Sequence, residues 1–140
     1  MQDIAPIQVQ SCSFKLRNFP QCSVIHADAQ FPKGENYDAV TCFFLLHEVP
    51  EDYKQNIVNS LLKRVKKGGK VVFIDYHKPS NYHPLKQFMT MILVNLEPFA
   101  TSLWNNEIKS FADIEMSKEF EWKKDTFFGG LYQKVVATRL

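Results

Sequence analysis

Apolar residues fall into several short unbroken runs and one long stripe of helical period. Ala39-Val40-Thr41-Cys42-Phe43-Phe44-Leu45-Leu46 is continuous and rich in β-branched and aromatic residues. That pattern predicts a strand covered on both faces. Lys70-Val71-Val72-Phe73-Ile74-Asp75 reads the same way, and Cys22–Ala27 reads as a shorter strand closed by Asp28. Residues 51–67 carry the stripe: Tyr53, Ile57, Leu61 and Val65 recur every four positions, widened by Val58 and Leu62. Glu51 and Asp52 open this predicted helix, Lys63, Arg64, Lys66 and Lys67 close it, and Gly68-Gly69 is its stop. A second helix is predicted from Pro84 to about Leu96, ahead of Pro98. Phe120–Thr126 and Leu131–Thr138 read as two strands turning at Gly129-Gly130. Residues 1–20 show no firm period.

A strand, a helix and a strand on short connections make a βαβ unit, hence a parallel pair with a right-handed crossover. The closing hairpin must be antiparallel. The expected fold is therefore α/β, a mostly parallel sheet with a C-terminal antiparallel hairpin. No repeat, low-complexity tract or linker divides the chain, so residues 1–140 read as a single domain.

Composition narrows the function classes. With 45% apolar and 23% charged residues the chain is a folded protein rather than a disordered one. Its net charge of +2 gives no electrostatic reason to expect a nucleic-acid partner. Twelve Phe, five Tyr and two Trp fill a dense core or line an apolar pocket. Cys12, Cys22 and Cys42 are odd in number and lack C-x-x-C spacing, which favours a reducing, cytoplasmic setting. The first six residues lack the pattern of a signal peptide. The greasiest stretch, Phe88–Ala100, is broken by Thr90, Asn95, Glu97 and Pro98, short of the ~20 apolar residues that span a bilayer.

Ligands of open parallel sheets sit beyond the carboxyl ends of the strands. Four polar groups are expected there: Asp3, Asp28, His47-Glu48 and Asp75-Tyr76-His77. Each has a plainer reading. Asp28 can cap its own turn, Asp3 can simply face solvent, and Glu48 suits the start of a helix. His47 can act as a base near neutral pH. Tyr76, His77 and His83 have no metal-ligand spacing, so no metal site is predicted. Residues 88–94 are apolar nearly all round, as for a helix buried on several sides or forming a pocket wall.

Four blocks, in order, carry a resemblance: His26-Ala27-Asp28-Ala29, Tyr37-Asp38-Ala39-Val40, Leu45-Leu46-His47-Glu48-Val49-Pro50 and Arg64-Val65-Lys66-Lys67-Gly68-Gly69-Lys70. They resemble class I S-adenosylmethionine-dependent methyltransferases of the ubiquinone/menaquinone-biosynthesis type. Leu96–Ala100 and Gly129–Gln133 are similar to rhodoquinone-biosynthesis relatives. The resemblance implies a Rossmann-like sheet and S-adenosylmethionine as cofactor. It implies that Asp3 binds the ribose hydroxyls, that Asp28 beside Ala29 receives the adenine amino group, and that Phe43 passes beneath the cofactor. Asp38 takes the place of a structural acid. His47 would face the acceptor as a base, with Glu48, Tyr76, Met89, Phe99 and Tyr132 lining the site of a lipophilic small molecule such as a quinone.

One departure is large. The family's glycine-rich loop lies ahead of the position of Asp3, whereas the five glycines here are Gly34, Gly68, Gly69, Gly129 and Gly130. The expectation is a truncated methyltransferase sheet with weak or no activity. The alternative is a catalytically silent fragment serving as a self-associating or partner-binding module. In the family the fourth strand pairs with the first, so an uncovered edge on strand 39–46 predicts a homo-oligomer.

Overall fold

The computed structural model describes residues 1–84, 86–88, 90, 91 and 99–140. Its main sheet has four strands: β3 (Tyr37–Phe43), β4 (Val65–Tyr76), β5 (Phe120–Phe127) and β6 (Tyr132–Arg139), in the order β3-β4-β6-β5. β3 and β4 are parallel, while β4-β6 and β6-β5 are antiparallel. A separate parallel pair joins β1 (Gln2–Asp3) to β2 (Ile25–His26) across helix α1 (Pro6–Leu16). The parallel βαβ crossover and the closing hairpin are as the sequence predicts. The strand expected over residues 22–27 shrinks to two residues.

Helix α2 (Glu51–Leu62) stops five residues short of its expected end. The reason is tertiary. Tyr37 N–H donates to the carbonyl of Arg64 at 2.9 Å, and Val65 is drawn into register opposite Tyr37. Pairing with β3 thus overrides a local helical pattern. Gly68 and Gly69 do not stop the helix but form a bulge within β4. Between the Tyr37–Val65 pair and the Ala39–Lys70 pair the register slips. Gly68 takes φ +76°, and a Cβ on Gly69 would lie 2.9 Å from the carbonyl oxygen of Tyr37. The buried stripe of α2 is also rotated from the expected one: Lys54 replaces Tyr53, with Ile57, Val58, Leu61 and Leu62 beneath it. Full burial of each of these four aliphatic side chains is worth about 1.5–3 kcal/mol.

The core lies between α2 and one face of the main sheet. Alternation along β4 and β6 points Val71, Phe73, Asp75, Gln133, Val135 and Ala137 inward, all buried. Beyond α2, the layer includes α3 (Ser102–Asn105), a 3-10 turn at Ile108–Phe111 and α4 (Ile114–Lys118). The hairpin runs 120–127 and 132–139, and its turn places Phe128, Gly129 and Gly130 at positive φ. Lys86, Gln87, Phe88, Thr90 and Met91 are helical, as predicted for the second helix; its other residues from Leu85 to Leu96 lie outside the described ones. Among the described residues, no helix is long and apolar enough to cross a membrane.

β3 departs most from its sequence pattern. A strand buried on both faces was expected, but only Cys42 is buried, and Phe43 is 66% exposed. Among the described residues β3 pairs only with β4, so its other edge has no neighbouring strand.

Candidate functional site

The end of β3 decides where the chemistry sits. Phe44 N–H still donates to the carbonyl of Ile74, at 2.8 Å, continuing the ladder. Phe44 itself then adopts φ +48°, a left-handed backbone that an aromatic residue rarely takes. The kink ends the strand three residues before its expected limit at Leu46. It turns the chain into a 3-10 turn at Leu46–Glu48, which lies against the end of β4.

Asp75 fastens that turn. It is 1% exposed, and its Oδ2 accepts the Leu46 N–H at 2.8 Å. Oδ1 accepts the Tyr76 N–H at 2.8 Å and lies 2.8 Å from Nδ1 of His47, itself 5% exposed. Both carboxylate oxygens act as acceptors, so Nδ1 of His47 is the donor in its hydrogen bond to Asp75. The Asp75 carboxylate is felt nearby: burial first, and this charge second, push the Cys42 thiol up to about 12.

Aromatic rings gather around the histidine. Tyr76 meets His47 edge-on with ring centres 4.6 Å apart, and Phe44 does so at 6.1 Å. Tyr76 and Tyr132 stack at 5.7 Å, and Phe128 closes on Tyr132 at 5.7 Å. Register explains the grouping, because Tyr76 pairs with Tyr132 and Asp75 with Gln133. Gln133 is 1% exposed; its Nε2 donates to the Tyr76 carbonyl at 2.8 Å, while its Oε1 has no hydrogen-bond partner among the described residues.

His47, Tyr76 and Tyr132 are thus brought together. Glu48 is exposed, with Oε1 3.9 Å from Nε2 of His47. Phe99 is linked through its carbonyl, which accepts from the buried Lys54 ammonium at 2.8 Å; Ser102 Oγ accepts from the same ammonium at 2.6 Å. Burial lowers the Lys54 pKa below the ordinary lysine value, partly offset by the Glu51 and Asp75 charges. Met89 lies outside the described residues.

The residues assigned to the cofactor lie on the other strands. Asp3 ends β1, and its Oδ1 accepts the Ala5 N–H at 2.8 Å. Asp28 follows β2, and its Oδ1 accepts the Gln30 N–H at 2.8 Å, the turn-capping arrangement. Its Oδ2 accepts from the Gln30 side chain at 3.3 Å. Ala29 packs against the core, and Phe43 ends β3 with its ring edge-on to Phe44 at 4.8 Å. Asp38 is exposed and pairs with Lys66 at 2.5 Å across the bulge, and this ammonium holds its carboxyl below the usual range.

Sequence reasoning named Asp75 only as part of a polar cluster and missed the roles of Phe44, Lys54, Phe128 and Gln133. A strand run gives no hint of a positive φ, and a lysine on a helix reads as exposed. Two surface depressions among the described residues lie elsewhere, around Asn105–Lys118 and between Glu107 and Val135. Their linings include Glu107 and several lysines, and neither contains a strand carboxyl end. We therefore place the site at the His47 cluster, where strand ends, a buried acid-histidine pair and aromatic rings coincide.

Comparisons with known proteins bear on the family and the fold. No curated protein sequence matches the chain. Among solved structures, the chain is similar to the N-methyltransferase NodS from Bradyrhizobium japonicum WM9 at 10% identity and TM-score 0.67, covering 99% of this chain and 71% of that one. It is similar to the mitomycin 7-O-methyltransferase MmcR at 14% identity and TM-score 0.77, covering 99% and 41%. An O-methyltransferase family protein from Burkholderia thailandensis gives 11% identity and TM-score 0.72, with 99% and 42% covered. The chain thus spans less than half the length of two of these three proteins. The model of the ubiE/COQ5 methyltransferase family matches residues 3–134. With nearly its whole length matched, the chain belongs to the ubiE/COQ5 methyltransferase family.

Proposed function

We propose that the chain is the acceptor-binding part of an S-adenosylmethionine-dependent methyltransferase for a lipophilic, planar small molecule such as a quinone. As it stands, its activity is weak or absent. The observation that carries this reading is the His47 cluster: a buried histidine oriented by Asp75 at the carboxyl end of β4, walled by Phe44, Tyr76 and Tyr132. Aromatic walls suit a flat apolar ring, because offset and edge-on contacts add to area burial. S-adenosylmethionine, when bound, supplies an electrophilic methyl group. Of the residues present, Asp3 and Asp28 would meet the adenosine half, as the family resemblance implies. Its methionine half finds no cradle among the described residues, since every glycine serves a turn, bulge or side-chain contact elsewhere.

The test is a titration with a short-chain quinone, following tryptophan fluorescence. Trp104 lies on α3, which touches the 3-10 turn of His47. Saturable quenching is expected, with the midpoint shifted by Tyr132→Ala; a flat titration removes the acceptor reading.

A second reading, a self-associating module, rests on a different observation. Among the described residues β3 has an unpaired edge, α1 has no buried residue, and Ile7, Phe14 and Phe43 are 78%, 66% and 66% exposed. Open strand edges beside apolar surface favour pairing with another chain. A dimer or larger assembly is expected by light scattering at micromolar concentration. A concentration-independent mass near 16.3 kDa contradicts it.

A further inference from the structure

We infer that Lys54 is a positioning residue whose buried ammonium clasps residues 99–105 onto α2 and holds α3 against the 3-10 turn that carries His47. The effect on an acceptor rests on the reading of the His47 cluster as its site; the clasp itself stands on separate geometry. Lys54 lies on the inward stripe of α2 and is fully buried. Its Nζ donates to the Phe99 carbonyl at 2.8 Å and to Ser102 Oγ at 2.6 Å. Ser102 Oγ in turn donates to the same carbonyl at 2.9 Å, which closes a ring of three groups. Nζ also lies 5.9 Å from the centre of the Phe99 ring. All these contacts reach one short segment, 45 to 48 positions along the chain.

The segment needs such a hold. α3 has only four residues, too few for a helix to persist by its own hydrogen bonds. Ala100 and Leu103 are buried, and α3 touches the 3-10 turn at Leu46–Glu48. Burial is nevertheless a costly setting for an ammonium. Its two acceptors among the described residues are neutral, and the Glu51 and Asp75 charges offset the desolvation only in part. A methionine of similar length relieves that cost, and the Phe99 carbonyl keeps the Ser102 hydroxyl as its donor. Lys54 therefore adds little to global stability. What it adds is direction: hydrogen bonds fix where the backbone at 99–102 lies, whereas apolar contact does not.

The experiment compares the full chain with Lys54→Met by urea denaturation and by amide hydrogen exchange. The urea midpoint is expected to stay or rise. Exchange at Leu103, Trp104 and Asn106, whose N–H groups bond to the carbonyls of Ala100, Thr101 and Ser102, is expected to quicken about ten- to a hundredfold. Amides of the β4–β6 ladder keep their rates or slow. Ser102→Ala, which leaves the lysine in place, must quicken the same three amides. A lower midpoint, failure to fold, or faster exchange throughout the sheet in Lys54→Met makes Lys54 a core residue and overturns the clasp. Unchanged exchange at the three amides overturns it too. A short-chain quinone then separates the clasp from the acceptor reading. If the unmodified chain binds it, Lys54→Met must weaken binding about tenfold; equal affinity overturns the link to the acceptor. If the unmodified chain does not bind it, the acceptor reading falls, and exchange alone decides the clasp.

Discussion

Asp75→Ala is expected to destabilise the fold by about 3–5 kcal/mol, because it strands three donors at once in a buried place. The N–H groups of Leu46 and Tyr76 and Nδ1 of His47 all lie 2.8 Å from its carboxylate. Alanine offers no acceptor, and at 1% exposure no bulk solvent reaches the gap. The loss should appear as a lower midpoint in urea denaturation with little change in slope. Loss of the 3-10 turn at Leu46–Glu48 would also release Phe44 from its positive φ. Asp38→Ala is the control: this carboxylate is exposed and paired only with an exposed lysine, and its removal should leave the midpoint where it was. Equal midpoints for the two variants would show that Asp75 fastens nothing.

S-adenosylmethionine is expected to bind the 140-residue chain roughly ten- to a thousandfold more weakly than a site with a complete backbone cradle would. That range follows from losing about three backbone hydrogen bonds of ~0.5–1.5 kcal/mol each. The argument rests on what each glycine already does. Gly34 is packed by the Tyr37 ring, and Gly68 and Gly69 form the β4 bulge. Gly129 and Gly130 turn the hairpin, where a Cβ on Gly130 would sit 3.2 Å from the Lys78 carbonyl. None is left to bring backbone close to the methionine half of the cofactor. Calorimetric titration of the pure chain measures this directly. A low-micromolar dissociation constant that Asp28→Ala abolishes would mean that the two acids hold the cofactor unaided.

What the sequence by itself determined is local in origin. The continuous apolar runs at 39–46 and 70–75, the stripe between them and the Gly129-Gly130 turn dictate a parallel βαβ unit followed by an antiparallel hairpin. Those features depend on spacing and turn chemistry, which act over a few residues. The family resemblance was legible in the order of four short blocks, and it placed His47 beyond a strand end. Tertiary structure decided the rest. Periodicity cannot see that Val65 gains more from pairing beside Tyr37 than from a further helical turn. Nor can it see that Lys54 faces inward, where the Phe99 carbonyl and Ser102 hydroxyl receive its ammonium. The apolar run at 39–46 promised burial on both faces, but burial depends on what packs beside a strand, and β3 has one neighbour among the described residues. The site itself shows the division most clearly. His47 and Asp75 are 28 positions apart in sequence and 2.8 Å apart in space. Only the left-handed kink at Phe44 and the register of β4 against β6 bring an acid, a histidine, two tyrosines and a buried glutamine to one strand end. No local pattern encodes such a meeting, because its energy comes from hydrogen bonds and ring contacts between segments that the sequence keeps far apart.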